Sequence, residues 1–345
     1  MYIDGMELDP RICYRAVRSR DARFDGRFFT GVLSTGIYCR PICPARTPRQ
    51  TNCRFFGCAA AAESAGFRPC LRCRPETSPG TPAWQGTSAT VSRALRLIEA
   101  SALDEQSVSE LAARLGVGDR HLRRLFDEHL GASPRSIART RRVHFALKLI
   151  TETKLPMGQV ALAAGFGTVR RFNAAIKKSV GQAPSAIRHG FATAAAAGAD
   201  ACNSGHLVLS LAYRPPFDWP ALVSFMQPRA IPGVEEVSAD SYRRTFAVDG
   251  ICGVLEVRPA AAVDPRPRRR TRPALERRVP AAAAPVLATI VARVRRLFDL
   301  GADPAVIADH LANHRELTRL VQCRQGLRLP GAWDRFELAM RAILG

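Results

Sequence analysis

The sequence is short of acidic residues and has no long hydrophobic run. It has 30 Asp and Glu against 51 Lys and Arg, which gives a formal net charge of +21. No stretch reaches the roughly eighteen apolar residues that cross a bilayer, and the first residues lack the pattern of a secretion signal. We therefore expect a cytoplasmic protein without membrane contact. The charge favours an acidic polymer as partner, and nucleic acid is the usual one.

Aromatic residues are also scarce, at 7% of the chain, but hydrophobic residues as a whole make up 47%. That proportion excludes a disordered protein, and 345 residues are enough for two or three domains with cores of their own. The ten cysteines stand out against this background. In a reducing compartment they serve as metal ligands, reactive thiols or small core residues.

Four of the cysteines form two closely spaced pairs. Cys39 and Cys43 are spaced C-x3-C, Cys70 and Cys73 are spaced C-x2-C, and twenty-six residues lie between the pairs. Two such pairs can place four thiolates at the corners of a tetrahedron, about 2.3 Å from a zinc ion. We predict one Zn²⁺ per chain at these four residues. Two disulfides or four unrelated core cysteines are the alternatives, and disulfides need an oxidising compartment.

The other six cysteines have no partner at ligand spacing. We expect each of them in a core or on the surface: Cys13, Cys53, Cys58, Cys202, Cys252 and Cys323.

The residues around the four paired cysteines resemble a known family. Segments 35–46, 52–56 and 65–75 match the N-terminal domain of Ada-type DNA alkylation-repair regulators in residue types and gaps, within a match from about Asp9 to Pro75. In that family the matching thiolate takes a methyl group from a methylated DNA backbone phosphate. The resemblance implies that Cys39 is the nucleophile and that Thr35, Arg46 and Arg68 contact the DNA backbone. Pro44 stands where the family often has a basic residue, so that contact is not expected.

The chemistry of a zinc thiolate suits this transfer. Zinc coordination keeps a cysteine deprotonated at neutral pH, and a sulfur anion is a soft nucleophile toward a methyl group on a phosphotriester. The S-methyl product is a thioether, so each molecule reacts once. Methylation takes the cluster from a charge of about −2 to about −1, which reduces repulsion from DNA phosphates. Repair can thereby become a signal for activating repair genes.

Helical periodicity dominates from Ser88 to about Gly190. Residues 107–126 predict a short helix, a turn at Gly116 and a second helix capped by Asp119, which is a helix-turn-helix. A helix from Pro134 to about Thr153 leads to a second such unit at 159–178. Arginine suits guanine edges and phosphates, so DNA binding is favoured over a helical bundle without DNA contact. The predicted DNA-reading residues are Arg120, Arg123, Arg124, Arg170 and Arg171.

Two such units about fifty residues apart resemble the double helix-turn-helix of AraC-type transcription regulators. The resemblance covers about 100 residues and ends with Pro184 and Ser185. It implies sequence-specific binding to double-stranded DNA and contact with RNA polymerase. We expect a monomer.

The last third predicts strands within 206–258, a helix at 220–226, and helices at about 284–300 and 304–321. It resembles the N-terminal α+β domain of AlkA-type 3-methyladenine DNA glycosylases, most clearly at 213–219, 296–299 and 326–345. Between Pro259 and Pro285, seven arginines and four interior prolines predict a solvated basic loop in place of a strand.

In the AlkA family the helix-hairpin-helix and catalytic Asp lie downstream of the segment that matches 341–345. We therefore expect no release of 3-methyladenine, and an apolar face on the helices within 304–345.

The predicted fold class is multidomain. A small α+β zinc domain at 1–80 precedes an all-α double helix-turn-helix domain at 81–190, whose first residues, 81–87, form a linker. A second linker at 191–205 leads to an incomplete α+β glycosylase-like domain at 206–345. The leading hypothesis is a methyl-accepting repair protein that activates transcription. The rivals are a plain AraC-type regulator with structural zinc and an activator that is also an active glycosylase.

Overall fold

The computed structural model describes residues 2–3, 6–7, 9–79, 89–99, 102–195, 205–260 and 273–344. The chain divides into two compact units, Met1–Gly198 and Ala199–Gly345. The predicted linker at 81–87 lies outside the described residues. Among the described residues, none of the helices combines the length and the apolar character that a membrane crossing needs.

The first part of unit 1 is built on a small sheet with the strand order β5-β3-β4-β6. Strand β4 pairs antiparallel with β3 and parallel with β6, where Tyr38 is opposite Pro69. This register places Cys39, the last residue of β4, close to Cys70, which follows β6. The elements are β1 Tyr2–Ile3, β2 Met6–Glu7, α1 Pro10–Ser19, β3 Phe29–Val32, β4 Ile37–Cys39, β5 Cys53–Phe56, α2 Ala59–Ser64 and β6 Arg68–Pro69.

The second part of unit 1 is helical, as predicted. Its elements are α3 Ala89–Glu99, α4 Ala102–Glu105, α5 Val108–Leu115, α6 Asp119–Leu130, α7 Pro134–Glu152, α8 Met157–Ala163, α9 Val169–Val180 and α10 Pro184–Ala195. Helix α7 joins the two helix-turn-helix units. Helix α10 extends to Ala195, so the prediction of a linker from residue 191 is wrong for its first five residues, where an alanine-rich sequence continues the helix.

The two helix-turn-helix units repeat the same inward-facing pattern. In α6 the buried residues are Leu122, Phe126 and Leu130, and α9 buries Phe172, Ile176 and Val180 about fifty residues later. This i, i+4, i+8 spacing turns one face of each helix to the core and leaves the opposite face in solvent.

The turn between α5 and α6 uses glycine. Gly116 ends α5 with a φ of 72°, in the left-handed region that a residue with a side chain rarely adopts. The prediction that Asp119 caps α6 is wrong. Gly118 is the N-cap, and Asp119 is the first helical residue, whose carboxylate accepts from Arg123 one turn later. Ser107 caps α5 with a complete capping box to Glu110.

One hydrophobic core runs through both parts of unit 1. Phe29, Phe56 and Phe67 of the sheet region belong to the same buried cluster as Leu111 and Phe126 of the helices. Buried alanines of α2 connect the two sets, because their small side chains allow close packing against the helices. The first part of unit 1, residues 9–79 with the four paired cysteines, is the metal-binding part. It and the helical part therefore share the burial that stabilises them.

Unit 2 is a five-stranded antiparallel sheet with the order β7-β11-β10-β9-β8 and flanking helices. Its elements are β7 His206–Ala212, α11 Trp219–Met226, β8 Glu235–Val237, β9 Tyr242–Val248, β10 Ile251–Pro259, β11 Ala274–Pro280, α12 Leu287–Leu297, α13 Pro304–Leu311, α14 Arg315–Cys323 and α15 Arg335–Leu344. Trp219 and Tyr242 pack on Phe298, with ring centroids 5.7 and 5.3 Å away.

The prediction of a basic loop from Pro259 to Pro285 is wrong for its second half. Strand β11 lies between β7 and β10 and pairs with both. Pro273 lies before the strand and Pro280 at its end, so residues 274–279 keep every backbone donor. The arginine and proline content of residues 259–285 as a whole does not reveal the short strand within them. Residues 261–272 lie outside the described residues.

The helices after β11 differ in detail from the prediction. The helix expected at 304–321 is two helices, α13 and α14, which are separated by a turn at residues 312–314. Helix α12 begins at Leu287 because Pro285 is part of a preceding 3-10 turn. The expected exposed apolar side chains are present on and before α15, with Leu329, Phe336 and Ile343 at 82%, 75% and 76% exposure.

Candidate metal centre and DNA-binding surface

The four paired cysteines come together at one point. Their Sγ atoms all lie within 4.8 Å of one another, and they form the one such group of potential metal ligands found among the described residues. A tetrahedral zinc site with Zn–S bonds of about 2.3 Å has sulfur–sulfur distances of about 3.8 Å. The geometry and the all-thiolate donor set therefore fit Zn²⁺. The described cysteines outside the cluster are buried, partly buried or exposed single residues, as predicted: Cys13, Cys53, Cys58, Cys252 and Cys323. Cys202 lies outside the described residues.

The four cysteines differ in exposure. Cys70 and Cys73 are buried, at 7% and 1%, whereas Cys39 and Cys43 are partly exposed. The backbone N–H of Arg40 also donates to Cys73 Sγ at 3.3 Å, which draws electron density from that sulfur. Burial raises the pKa of Cys73 well above its usual range, so a thiolate here requires a cation beside it. A molecule from solution can therefore reach Cys39 or Cys43 more easily than Cys70 or Cys73.

A buried ion pair supports the loop between Cys39 and Cys43. Arg40 Nε donates to Asp25 Oδ1 at 2.7 Å, and its Nη1 donates to the carbonyl of Cys73 at 3.1 Å and to Thr77 at 2.8 Å. The guanidinium thus connects one cysteine pair to the other. Asp25 could not be identified from the sequence, because no local pattern links it to Arg40, fifteen positions later.

The three residues of the metal-binding part that are predicted to contact the DNA backbone are Thr35, Arg46 and Arg68. All three are exposed. Arg68 lies beside the end of α9: a Cβ atom added to Gly181 would be 2.7 Å from Arg68 Nη1. A cation next to a helix C-terminus is favourable, because the unpaired carbonyl groups there are partly negative. Arg68 thus lies where β6 meets the second helix-turn-helix unit.

The five predicted arginines of α6 and α9 are exposed and lie outside the buried stripes of the two helices. Arg123 is oriented by Asp119, with Nε 2.8 Å from Oδ1, and Arg124 Nη2 is 3.3 Å from His121 Nδ1. These surface contacts cost little to break, so both guanidinium groups are available to a DNA ligand. Glu63, Arg74 and His144, which join the metal-binding part to α7, have no signal in the sequence that singles them out.

Three family models match separate parts of the chain. The metal binding domain of Ada matches residues 12–76, a helix-turn-helix domain matches residues 111–190, and the AlkA N-terminal domain matches residues 208–334. Together they follow the predicted order of the three parts.

Relatives match either nearly the whole chain or one part of it. A probable bifunctional transcriptional activator/DNA repair enzyme AlkA of Mycobacterium tuberculosis is 42% identical over 340 residues, which are 98% of this chain and 66% of that protein. The bifunctional transcriptional activator/DNA repair enzyme AdaA of Bacillus subtilis is 30% identical over 175 residues, which are 51% of this chain and 81% of AdaA. DNA-3-methyladenine glycosylase 2 of Escherichia coli is 37% identical over 136 residues, 39% of this chain and 43% of that enzyme.

A four-cysteine metal centre that shares its core with a double helix-turn-helix domain defines a class of DNA-binding regulators with a reactive or structural thiolate site. The chain belongs to the Ada family of bifunctional transcriptional activator and DNA repair proteins. It spans just under two thirds, 66%, of the length of the mycobacterial relative.

Proposed function

We propose that this protein repairs methylphosphotriesters in DNA by irreversible transfer of the methyl group to Cys39, and that the methylated protein activates repair genes. The observation that supports this most is the cysteine cluster, in which Cys39 is partly exposed and Cys70 and Cys73 are buried. Cys43 is also partly exposed. The choice between these two rests on the match of Thr35-Gly-Ile-Tyr-Cys39 to the family's acceptor.

The proposed transfer is a single displacement at the methyl carbon. The Cys39 sulfur forms a bond to the methyl carbon, the bond from that carbon to the phosphate oxygen breaks, and the electron pair leaves with the phosphodiester anion. Zn²⁺ held by the four cysteines would keep the Cys39 sulfur deprotonated at neutral pH and would fix its position. Thr35, Arg46 and Arg68 are proposed to bind the neighbouring phosphates, since they are exposed in the same part of the chain.

The regulatory half of the proposal depends on α6 and α9. Their exposed arginines are proposed to read a promoter in double-stranded DNA, and loss of one negative charge at the cluster is expected to tighten that binding. One zinc ion per chain, a monomeric state and contact with RNA polymerase are part of the same proposal. The expectation that residues 1–345 release no 3-methyladenine stays a prediction.

Mass spectrometry tests the methyl transfer directly. Protein incubated with methylphosphotriester DNA should gain the mass of one methyl group per chain, and peptide mapping should place it on Cys39. Cys39→Ala should gain none. Cys53→Ala, a matched change at a partly exposed cysteine outside the cluster, should react like the wild type.

The alternatives give different results in the same experiment. A structural zinc site in a plain regulator predicts no mass gain. A methyl group found on Cys43, Cys70 or Cys73 would contradict the assignment of Cys39 while leaving repair itself intact.

A further inference from the structure

Tyr38, the residue before the proposed methyl acceptor, contacts α7, the helix that joins the two helix-turn-helix units. Tyr38 is completely buried, and its hydroxyl lies 2.8 Å from Nε2 of His144 in α7 and 3.0 Å from Oε1 of Glu63 in α2. We infer that this Tyr38–Glu63–His144 bridge transmits the state of Cys39 to the DNA-reading helices by direct contact, in addition to the change in charge. The inference rests on the proposed function.

The three groups of the bridge satisfy one another. The Tyr38 hydroxyl donates to Glu63 and can accept from the Nε2–H of His144, while Thr140 of α7 donates to the other Glu63 oxygen at 2.8 Å. Burial opposes ionisation of Glu63, but hydrogen bonds from His144, Thr140 and Tyr38 outweigh it, and the pKa of Glu63 is lowered. The bridge is therefore a charged, hydrogen-bonded network that is largely buried, since the side chains of Glu63 and His144 are only 6% and 15% exposed, and such networks fix the relative position of the elements that they join.

At its other end the bridge reaches two metal ligands. Tyr38 is joined to Cys39 by a peptide bond, and its carbonyl accepts from the backbone N–H of Cys70 at 3.0 Å. A displacement of Cys39 within the cluster must either move Tyr38 or distort the strand. Because Tyr38 is closely packed on all sides, the ring and hydroxyl have little free space to absorb such a displacement.

A second contact joins the cluster to the same helix. Arg74 follows Cys73, donates to Thr151 of α7, lies 3.5 Å from Glu152, and places its guanidinium 5.3 Å from the ring centre of Phe191 in α10. His144 and Thr151 lie about two helical turns apart. The cluster is thus connected at two points to α7, which leads from the first helix-turn-helix unit to the second.

Methylation of Cys39 would add a methyl group and convert an anionic sulfur into a neutral thioether. Both changes alter how this sulfur fits among the other three. Since the strand is tied to α7, the new arrangement can favour a different position of α7 and hence of α6 relative to α9. The two states then differ in contacts as well as in charge, which is what a coupling between sites requires.

The experiment compares promoter affinity before and after methylation, in variants that break the direct contact of Tyr38 with His144. His144→Phe keeps an aromatic ring at this position and leaves Tyr38 bonded to Glu63, and Tyr38→Phe leaves Glu63 bonded to Thr140 and 3.5 Å from His144. Tyr14→Phe is the matched control, because the Tyr14 hydroxyl bonds only to the Pro48 carbonyl in the metal-binding part among its described hydrogen bonds. Zinc content and the number of methyl groups per chain are measured for every variant.

We expect the ratio of promoter Kd before methylation to that after methylation to fall by about fivefold or more in both bridge variants, and to be unchanged in Tyr14→Phe. The double variant should lose no more than either single one, because both remove the same connection. If Tyr38→Phe loses zinc, His144→Phe, which lies away from the ligands, decides the question.

An unchanged ratio in His144→Phe would overturn the inference and would leave the proposed function intact. A wild-type protein that accepts no methyl group would instead refute the proposed function. The two failures are therefore distinguishable.

Discussion

Arg40 and Asp25 form an ion pair whose side chains are only 2% and 7% exposed. Removing one partner of such a pair leaves a buried charge without compensation, which typically costs far more than the intact pair contributes. Here the pair also connects the loop after Cys39 to the carbonyl of Cys73. Single residues thus determine how precisely the four sulfur atoms are arranged.

We predict that Arg40→Met destabilises unit 1 by about 3–5 kcal/mol, because Asp25 then remains buried and unpaired. Arg23→Met is the control: it breaks the pair with Asp21, but Arg23 is 70% exposed, so its loss should cost less than about 1 kcal/mol. Urea unfolding of the zinc-loaded proteins measures both values. Equal effects of the two substitutions would show that solvent reaches the buried pair.

At the scale of secondary structure, α6 and α9 bury apolar residues at the same spacing but differ in the hydrogen bonds of their first turns. Thr168 caps α9 through a hydrogen bond to the backbone N–H of Arg171, at 3.2 Å, whereas α6 begins after Gly118 without a side-chain cap. In α6 the first turn is instead ordered by the pair between Asp119 and Arg123. That pair holds Arg123 on the exposed face, where a DNA contact would replace Asp119 with a phosphate or a guanine edge.

We predict that replacing Arg123 and Arg124 together by Ala weakens promoter binding by about 1–3 kcal/mol for each lost base contact, without affecting methyl transfer. The control removes two exposed arginines of unit 2, Arg243 and Arg278, so that the net charge falls equally. Gel-shift titrations at fixed salt measure both. Similar losses in both double variants would indicate a general charge effect and not reading by α6.

At the scale of the whole molecule, the shared core of unit 1 has a thermodynamic consequence. Sheet residues such as Phe67 and helix residues such as Leu111 belong to one buried cluster, so the metal-binding part and the helices should unfold together. Unit 2 has its own sheet and its own contacts. It should therefore unfold independently of the metal.

We predict that removing zinc with excess chelator lowers the melting temperature of unit 1, including helices α3–α10, and leaves the transition of unit 2 in place. Metal binding contributes folding free energy wherever the unfolded chain has no preformed site. Calorimetry of the intact chain measures both transitions. Cys70→Ala, already unable to complete the site, should show no further shift with chelator. Helices that melt at the same temperature with and without zinc would show that the shared core does not couple the two parts.

Local sequence was enough to predict the cysteine cluster and much of the secondary structure. The spacing of Cys39, Cys43, Cys70 and Cys73 predicted a site that the structure assembles, because short loops allow each cysteine pair to bind one ion. The helical period of apolar residues and the position of Gly116 predicted the first helix-turn-helix. A helix and its terminating turn, like a closely spaced cysteine pair, depend on residues that are near one another in the sequence.

Only the tertiary structure revealed contacts between residues that are far apart in sequence. Asp25 with Arg40, Glu63 with His144 and Arg68 beside Gly181 leave no periodic pattern, since nothing in the segment of either partner points to the other. Strand β11 has the same explanation: its six proline-free residues form a central strand because β7 and β10 supply the hydrogen bonds on both sides. Those partners, and not the composition of the surrounding stretch, decide that a strand forms there.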